Sequence, residues 1–498
     1  MDQEAKKEEL KERISEFFSV NYKTLLIALL VFAFLVRLYY FILTKSQPVW
    51  WDEAEYLLKA KSIALGTPDT GFWEGRPILF PIMLSAFYFI GLGEISIRFF
   101  LIIISFFSVY LVYLVGKQLF SEKIGLISAF LYSLVYINLF YTVRVMVDIP
   151  HVFLGLLAFY FFFTKKKKLV WLSVPLIALA TLTRFPAVFF FVILFVYIAF
   201  TERMKALKNK DYWISLVLGF LVGLPYLIWA NANYGDPLYA IKLAGGGAVS
   251  GISLSSGLSV LKQYLATFPS YLGTVSLILF IFGLTYFLIY TILGFDLVLK
   301  NNKSFSSKFL VLIWILIPLL YFGFGVSHFE DRYIFMAFPA MFFIIALALG
   351  KLQESITKYS KPLAAILIIL LLAFSGFQLI KGSDEIIKSR LDSFGPVKEA
   401  GIWIKQNTNP QDIIMTRSHP PNTYYSERAS YSISAKEEDF AANYSIYKPK
   451  YLVISVFDAP NSNEWQWAFS INQQKYGLTP VKAFPENNPA LIIYKTSF

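Results

Sequence analysis

Val49-Trp50-Trp51-Asp52-Glu53-Ala54-Glu55-Tyr56 follows closely on an apolar run over 24–43 and sets adjacent carboxylates beside a tryptophan pair where that run ends. An ionisable side chain at membrane depth costs about 3 kcal/mol on insertion scales and more in simulations, so it is read first as functional. The tryptophans suit the same boundary, where amphipathic rings sit among the headgroups. The stretch therefore reads as the exit of a transmembrane helix into a loop that carries chemistry.

Working outward, composition places the whole chain in the membrane class. Of 498 residues, 57% are hydrophobic, 18% aromatic and 16% charged, with a mean hydropathy of +0.57, beyond what a soluble surface tolerates. Further apolar runs fall at 97–116, 124–141, 150–164, 169–183, 186–200, 213–230, 271–294, 309–326, 333–349 and 363–381. At about 20 residues per crossing they predict about eleven transmembrane helices, with 150–164, 169–183 and 186–200 short and 78–92 interfacial or re-entrant. Met1 to Ser19, crowded with Lys and Glu, has no signal-peptide layout and suits a cytoplasmic amphipathic helix.

Basic residues orient the array. Lys6, Lys7, Lys11, Arg13 and Lys23 precede the first run, and Lys117, Lys123, Lys165 to Lys168, Arg203 to Lys210, Lys300 to Lys308 and Lys351 to Lys361 follow every second one. With alternating spans these fall on one side, which the positive-inside rule makes cytoplasmic. The same alternation gathers Asp52, Glu53, Glu74, Arg76, Arg144, Asp148, Arg184, His328, Glu330, Asp331 and Arg332 on the opposite face, although they come from distant loops. The net charge of +12 is then topology and contact with anionic lipid, not nucleic-acid binding.

The expected architecture is an all-α polytopic membrane protein with a small C-terminal α/β domain. A cytoplasmic segment spans 1–23, the membrane domain 24–393 with an external first loop over 44–96, and a soluble external domain 394–498. In the last, helix-like and strand-like stretches alternate: Pro396 to Asn407, Asp412 to Thr416, Lys436 to Ser445, Tyr451 to Val456, Asn463 to Tyr476 and Ala490 to Lys495. Gly245-Gly246-Gly247, with no following helix and lysine, reads as a flexible loop and not a phosphate cradle. Zero cysteines exclude disulfides and thiolate nucleophiles, and three histidines without HExxH or paired spacing argue against a histidine zinc centre. No cofactor is required; a divalent cation held by Asp52, Glu53 and Asp148 is left open.

Several motifs then align in order. Asp52-Glu53-Ala54-Glu55-Tyr56, Gly75-Arg76-Pro77-Ile78-Leu79-Phe80-Pro81, Ile97-Arg98 leading into Leu114-Val115-Gly116-Lys117-Gln118-Leu119-Phe120, and Val147-Asp148-Ile149-Pro150 resemble the GT-C glycosyltransferases of the protein O-mannosyltransferase and aminoarabinose transferase branch. The resemblance covers about Leu25 to Ala199, and Glu330-Asp331-Arg332-Tyr333 with Pro339 is similar to that branch's later Arg-Tyr loop. It implies transfer of a sugar such as mannose from a polyprenyl (dolichyl) phosphate to an acceptor on the outer face of a plasma membrane: a protein hydroxyl, a glycan or a lipid. By match, Asp52 is the base, Glu53 its neighbour in contact with acceptor, and Asp148 the second acidic position, orienting the acceptor or raising the base's proton affinity by like-charge proximity. Arg76 stands where relatives carry lysine; with Arg184, Arg332, Tyr333 and Arg37 it is a candidate for the donor phosphate. The chemistry asks for the same parts, a carboxylate to take a hydroxyl proton and guanidinium forks to meet a departing phosphate.

Structural roles compete for these residues. Asp52 with Glu55 three positions on forms a capping box, Asp148 favours a helix N-terminus, Arg37 can snorkel to headgroups, Arg98 and Arg144 can contact them, and His328 can be an ordinary loop residue. Two other functions fit less well. An oligosaccharyltransferase should carry its Trp-Trp-Asp-Tyr-Gly run in the soluble domain, and a transporter or flippase of lipid-linked sugars should show repeated halves and midplane charges.

Overall fold

The computed structural model describes residues 21–164, 166–249, 254–458 and 465–498. The expected amphipathic helix over Met1 to Ser19 lies outside them. Every expected apolar run falls on a helix. Among the described residues, seven helices are long and apolar enough to cross a membrane: Tyr22–Thr44, Glu94–Leu119, Lys210–Tyr234, Gly257–Leu293, Lys303–Phe324, Asp331–Thr357 and Lys361–Ser389. Glu122–Leu134 and Tyr136–Thr142 form a pair bent by 58° that makes an eighth if taken as one span. Asp148–Phe163, Lys168–Thr183 and Phe185–Thr201 are shorter. Eleven crossings are reached when the bent pair and these three also cross.

Packing explains where helices differ from apolar runs. The run at 271–294 sits in a helix that begins well before it, because Tyr264 and Leu272 are buried and Leu261 packs on Gly323. Gly273, at φ +69°, breaks that helix in the middle. The glycines read as a loop are also helical, since Gly245 and Gly246 lie inside Tyr239–Val249. Between Glu94–Leu119 and Glu122–Leu134 the backbones touch at Gly116 and Gly125: a Cβ on Gly125 would lie 2.5 Å from the Tyr113 carbonyl oxygen. Small residues that admit close backbone approach are a common basis of helix association in lipid.

The first loop is built, not loose. Trp51–Leu65 packs along Leu79–Phe89, and the segment expected to be interfacial or re-entrant is this second, 11-residue helix. Asp52 and Glu53 occupy the first turn of Trp51–Leu65, where the helix dipole favours negative charge, and Gly66 closes it at φ +69°. The capping box differs from the expected one. Glu53, not Glu55, accepts the Trp50 backbone N–H at 2.9 Å, because Glu55 turns away to meet Arg76.

The C-terminal domain is a mixed five-stranded sheet: β1 Ile414–Thr416, β2 Ser430–Tyr431, β3 Tyr451–Ser455, β4 Thr479–Phe484 and β5 Leu491–Lys495. The order is β2-β1-β3-β5-β4, with β1 parallel to β2 and β3, and β5 antiparallel to β3 and β4. All five residues of β3 are buried, which its unbroken Tyr-Leu-Val-Ile-Ser run requires of a strand covered on both faces. Gly395–Asn407 covers one face through Val397, Ala400 and Ile404, and Glu437–Tyr447 covers the other through Phe440 and Tyr444. Asn463 to Tyr476, read as helix-like, holds only the short 3-10 turn Gln466–Ser470 among its described residues.

A helix absent from the sequence reading, His419–Ser426, docks this domain on the first loop. Tyr425 Oη accepts the Val49 N–H at 2.8 Å, Lys61 pairs with Glu427 at 2.9 Å, and the His419 ring meets Trp51 edge-on at 5.0 Å. The domain therefore packs over the first loop.

Candidate active site

Asp52 stands at the centre of the charged cluster. Its two oxygens each accept one guanidinium: Arg76 Nη2 donates to Oδ1 and Arg332 Nη1 to Oδ2, both at 2.6 Å. These arginines come from the loop before Leu79–Phe89 and from the turn that opens Asp331–Thr357. Each is held from behind by a second carboxylate, Arg76 by Glu55 and Arg332 by Glu330 at 2.5 Å. Arg76 also donates to the Tyr56 hydroxyl at 3.1 Å. Burial alone would raise the Asp52 pKa, but the two guanidiniums outweigh it and hold the carboxyl at about 2. Glu55 moves the other way, raised by burial more than Arg76 lowers it.

Around this core lie four further sets. Glu53 accepts Arg144 at 2.9 Å and the Val145 N–H at 2.7 Å, with Arg98 at 3.7 Å. Arg144 in turn stacks on Trp50, its guanidinium carbon 3.5 Å from the ring centre. Asp148, fully buried, pairs with Arg184, which lies 5.5 Å over the Tyr333 ring. Asp331 accepts the hydroxyls of Tyr136 and, at 2.8 Å, Tyr141. His328 contacts Tyr333 Oη at 3.0 Å and Glu330 at 3.9 Å.

Two cavities meet at this arrangement. One of about 250 Å3 is lined by Lys59, Arg76 and Glu74 with Tyr226, Trp229 and Tyr234 of the helix Lys210–Tyr234. The other, about 480 Å3, is lined by Asp52, Glu330, Asp331 and Arg332 with Trp50, Trp51, Tyr141, Tyr271 and Phe329 among others. The Asp52–Arg76 ion pair therefore joins the wall of one cavity to the wall of the other.

Residues 75–229 match the family described as dolichyl-phosphate-mannose-protein mannosyltransferases. Among solved structures, ArnT from Cupriavidus metallidurans, bound to undecaprenyl phosphate, superposes with a TM-score of 0.68 at 12% identity, covering 94% of this chain and 97% of that one. The fold is that of the GT-C glycosyltransferases. The oligosaccharyltransferase AglB from Archaeoglobus fulgidus, in complex with an inhibitory peptide and a dolichol-phosphate, shares this GT-C fold with a TM-score of 0.65 at 13% identity over 86% of this chain and 69% of its own. An uncharacterised protein of Aquifex aeolicus is 27% identical over 198 residues, 36% of this chain and 38% of that protein, so the match spans well under half of its length.

Within the GT-C frame, the expected site residues separate. Asp52, Arg76 and Arg332 are in direct contact, and Arg184 with Tyr333 lies alongside. Arg37 is elsewhere. It is fully buried among helices and spends its donors on Ser105 Oγ, Asn138 Oδ1 and the carbonyls of Ala33 and Ser133, so it ties spans together and neither snorkels nor faces a ligand. Glu53 is 1% exposed and lines the larger cavity, with both oxygens already accepting inside the protein, so it ties down the first loop. Asp148 pairs with Arg184 and Asp52 with its own two arginines, so the two carboxylates sit on separate guanidiniums. The cation site sketched over Asp52, Glu53 and Asp148 is not formed: each carboxylate has its own guanidinium, and among the described residues no group of three such side chains could hold a metal ion. Glu55, Glu330, Asp331, Tyr141 and Trp51 have no place among the site residues read from the sequence. Glu55 and Trp51 stand in the stretch that carries Asp52, and Glu330 and Asp331 in the motif that carries Arg332, so only Tyr141 lacks a sequence signal.

Proposed function

We propose that this protein is an inverting glycosyltransferase that moves a monosaccharide, mannose or a similar sugar, from a polyprenyl phosphate to an acceptor on the outer face of the membrane. The observation that carries this reading is a single carboxylate, Asp52, set where two cavities meet and gripped by an arginine from the wall of each. A transferase needs two substrates converging on one base; a transporter needs no such base.

The donor fits the smaller cavity. Its tyrosines and Trp229 continue into the lipid-facing side of Lys210–Tyr234, where Ile228 and Phe220 are exposed, so an isoprenoid chain can remain in the bilayer while its phosphate meets Arg76. The acceptor approaches Asp52 from the larger one. The acceptor oxygen attacks the anomeric carbon, its proton passes to a carboxylate oxygen of Asp52, and the sugar–phosphate C–O bond breaks with its electron pair going to the departing phosphate. Single displacement inverts the anomeric centre. A phosphate that draws Arg76 toward itself also loosens one of the two contacts that keep Asp52 weakly basic, so donor binding prepares the base.

The test is release of polyprenyl phosphate from radiolabelled polyprenyl-phosphate mannose by purified protein, with native membrane extract supplying acceptor. Wild type should release it, and folded Asp52→Asn should lose the rate by about 10²- to 10⁴-fold, the usual worth of a general base. Undiminished release by Asp52→Asn would remove the base assignment, and no release with any donor sugar would favour transport.

A further inference from the structure

The larger cavity has a composition that narrows the acceptor, an inference that rests on the transferase reading above. We infer that it is a saccharide subsite and that the acceptor is a neutral sugar hydroxyl, not a peptide side chain or a phosphorylated headgroup.

Three observations converge on this. The first is shape and surface: about 480 Å3 beside Asp52, walled by the rings of Trp51, Tyr141, Tyr271 and Phe329. Trp51 is 37% exposed, its ring meeting His419 edge-on, so part of the indole lies open beside the cavity it lines. Aromatic faces carry partial negative charge and attract the polarised C–H bonds of a pyranose. The second is charge. Four carboxylates, Asp52, Glu53, Glu330 and Asp331, line the cavity with the guanidiniums of Arg144 and Arg332, and Arg76 and Arg98 pair with Asp52 and Glu53 from behind, so the wall is close to balanced in charge and suits an acceptor that carries none. The third is a set of buried donors without partners. Arg144 is 2% exposed, yet its Nε and Nη2 have no acceptor among the described residues, and neither does Trp50 Nε1; both residues line this cavity. Buried donors left unmade are costly, so a ligand that accepts from them gains.

A polyol answers all three demands at once. Each hydroxyl both donates to a carboxylate and accepts from an N–H, while the ring stacks on Trp51. A peptide that adds as a strand would ask instead for a sheet edge, and none of the described residues lining the cavity belongs to a strand.

The experiment is saturation-transfer NMR on the full chain in lipid nanodiscs, with mannobiose, maltose, lactose and chitobiose, with mannose 6-phosphate, and with a threonine-containing hexapeptide as separate probes. At least one neutral disaccharide should show transfer to its ring C–H protons. Trp51→Ala should weaken it at least fivefold, Trp51→Phe should retain it, and the phosphosugar and peptide should give none. Phe329→Ala serves as a second test should Trp51→Ala fail to fold. Binding of the peptide or the phosphosugar in place of a disaccharide overturns the inference, as does disaccharide binding indifferent to Trp51 and Phe329, or no disaccharide binding. The donor-release assay separates the two readings. Donor consumed without disaccharide binding sinks only the acceptor class, whereas disaccharide bound with no donor consumed sinks the transferase.

Discussion

Asp52 shows how two contacts reverse what burial alone would do. Its carboxyl sits at about 2 against an ordinary 3.8, so the folded protein binds the proton less well than the unfolded chain. The stability this contributes is fully present above the ordinary value and is lost as pH falls from about 4 to about 2. Thermal melting in nanodiscs over that window should therefore fall for the wild type and fall less for Asp52→Asn; equal slopes would show that the arginines do not grip it. Glu55, raised by burial, works in the opposite sense, which is why the comparison must be made against the Asp52 variant. Arg76 meets Asp52, Glu55 and Tyr56 at once through its planar fork. A lysine keeps the charge but cannot span three partners. Arg76→Lys should lower kcat/KM for the donor by about tenfold, or 1.4 kcal/mol, measured by polyprenyl phosphate release at limiting donor.

At the scale of elements, the site depends on how the first loop is clamped between the membrane helices and the helix His419–Ser426. Gly71 lies at this clamp with φ +104°, and a Cβ there would come within 3.0 Å of the His419 ring and 3.2 Å of the Pro420 backbone. Gly71→Ala should cost about 1–3 kcal/mol in backbone strain alone and loosen the docked domain. Limited proteolysis should then cut residues 394–498 free faster than in wild type, with the membrane helices still folded. The sequence shows the helix Trp51–Leu65 well, through its acidic first turn and Gly66, because those signals are local. It does not show His419–Ser426, whose His-Pro-Pro-Asn-Thr-Tyr-Tyr-Ser carries no apolar periodicity and is bonded to Tyr88, Lys61 and Thr70 across the interface.

For the whole molecule, the arrangement of charge by side awaits a direct test, and the chain is ready for one because it contains no cysteine. With Glu486→Cys and Lys358→Cys made singly in the otherwise cysteine-free chain, a membrane-impermeant maleimide should label the first on intact cells and the second only after permeabilisation. Labelling in the reverse pattern would invert the topology and place Asp52 on the cytoplasmic side. What the sequence determined by itself is the membrane class, the apolar runs that fall on helices and the expectation that Asp52, Arg76, Arg184 and Arg332 share one face with other loop charges, because hydropathy and charge alternation are carried by short stretches of chain. Only the tertiary structure decided which charges touch. Asp52 and Arg332 are 280 residues apart, and nothing local distinguishes that pair from Arg37, whose guanidinium is consumed by Ser105 and Asn138 inside the helix bundle. Pairing is settled by where packed helices bring side chains together, and in a medium without water each buried donor takes whatever acceptor the packing presents.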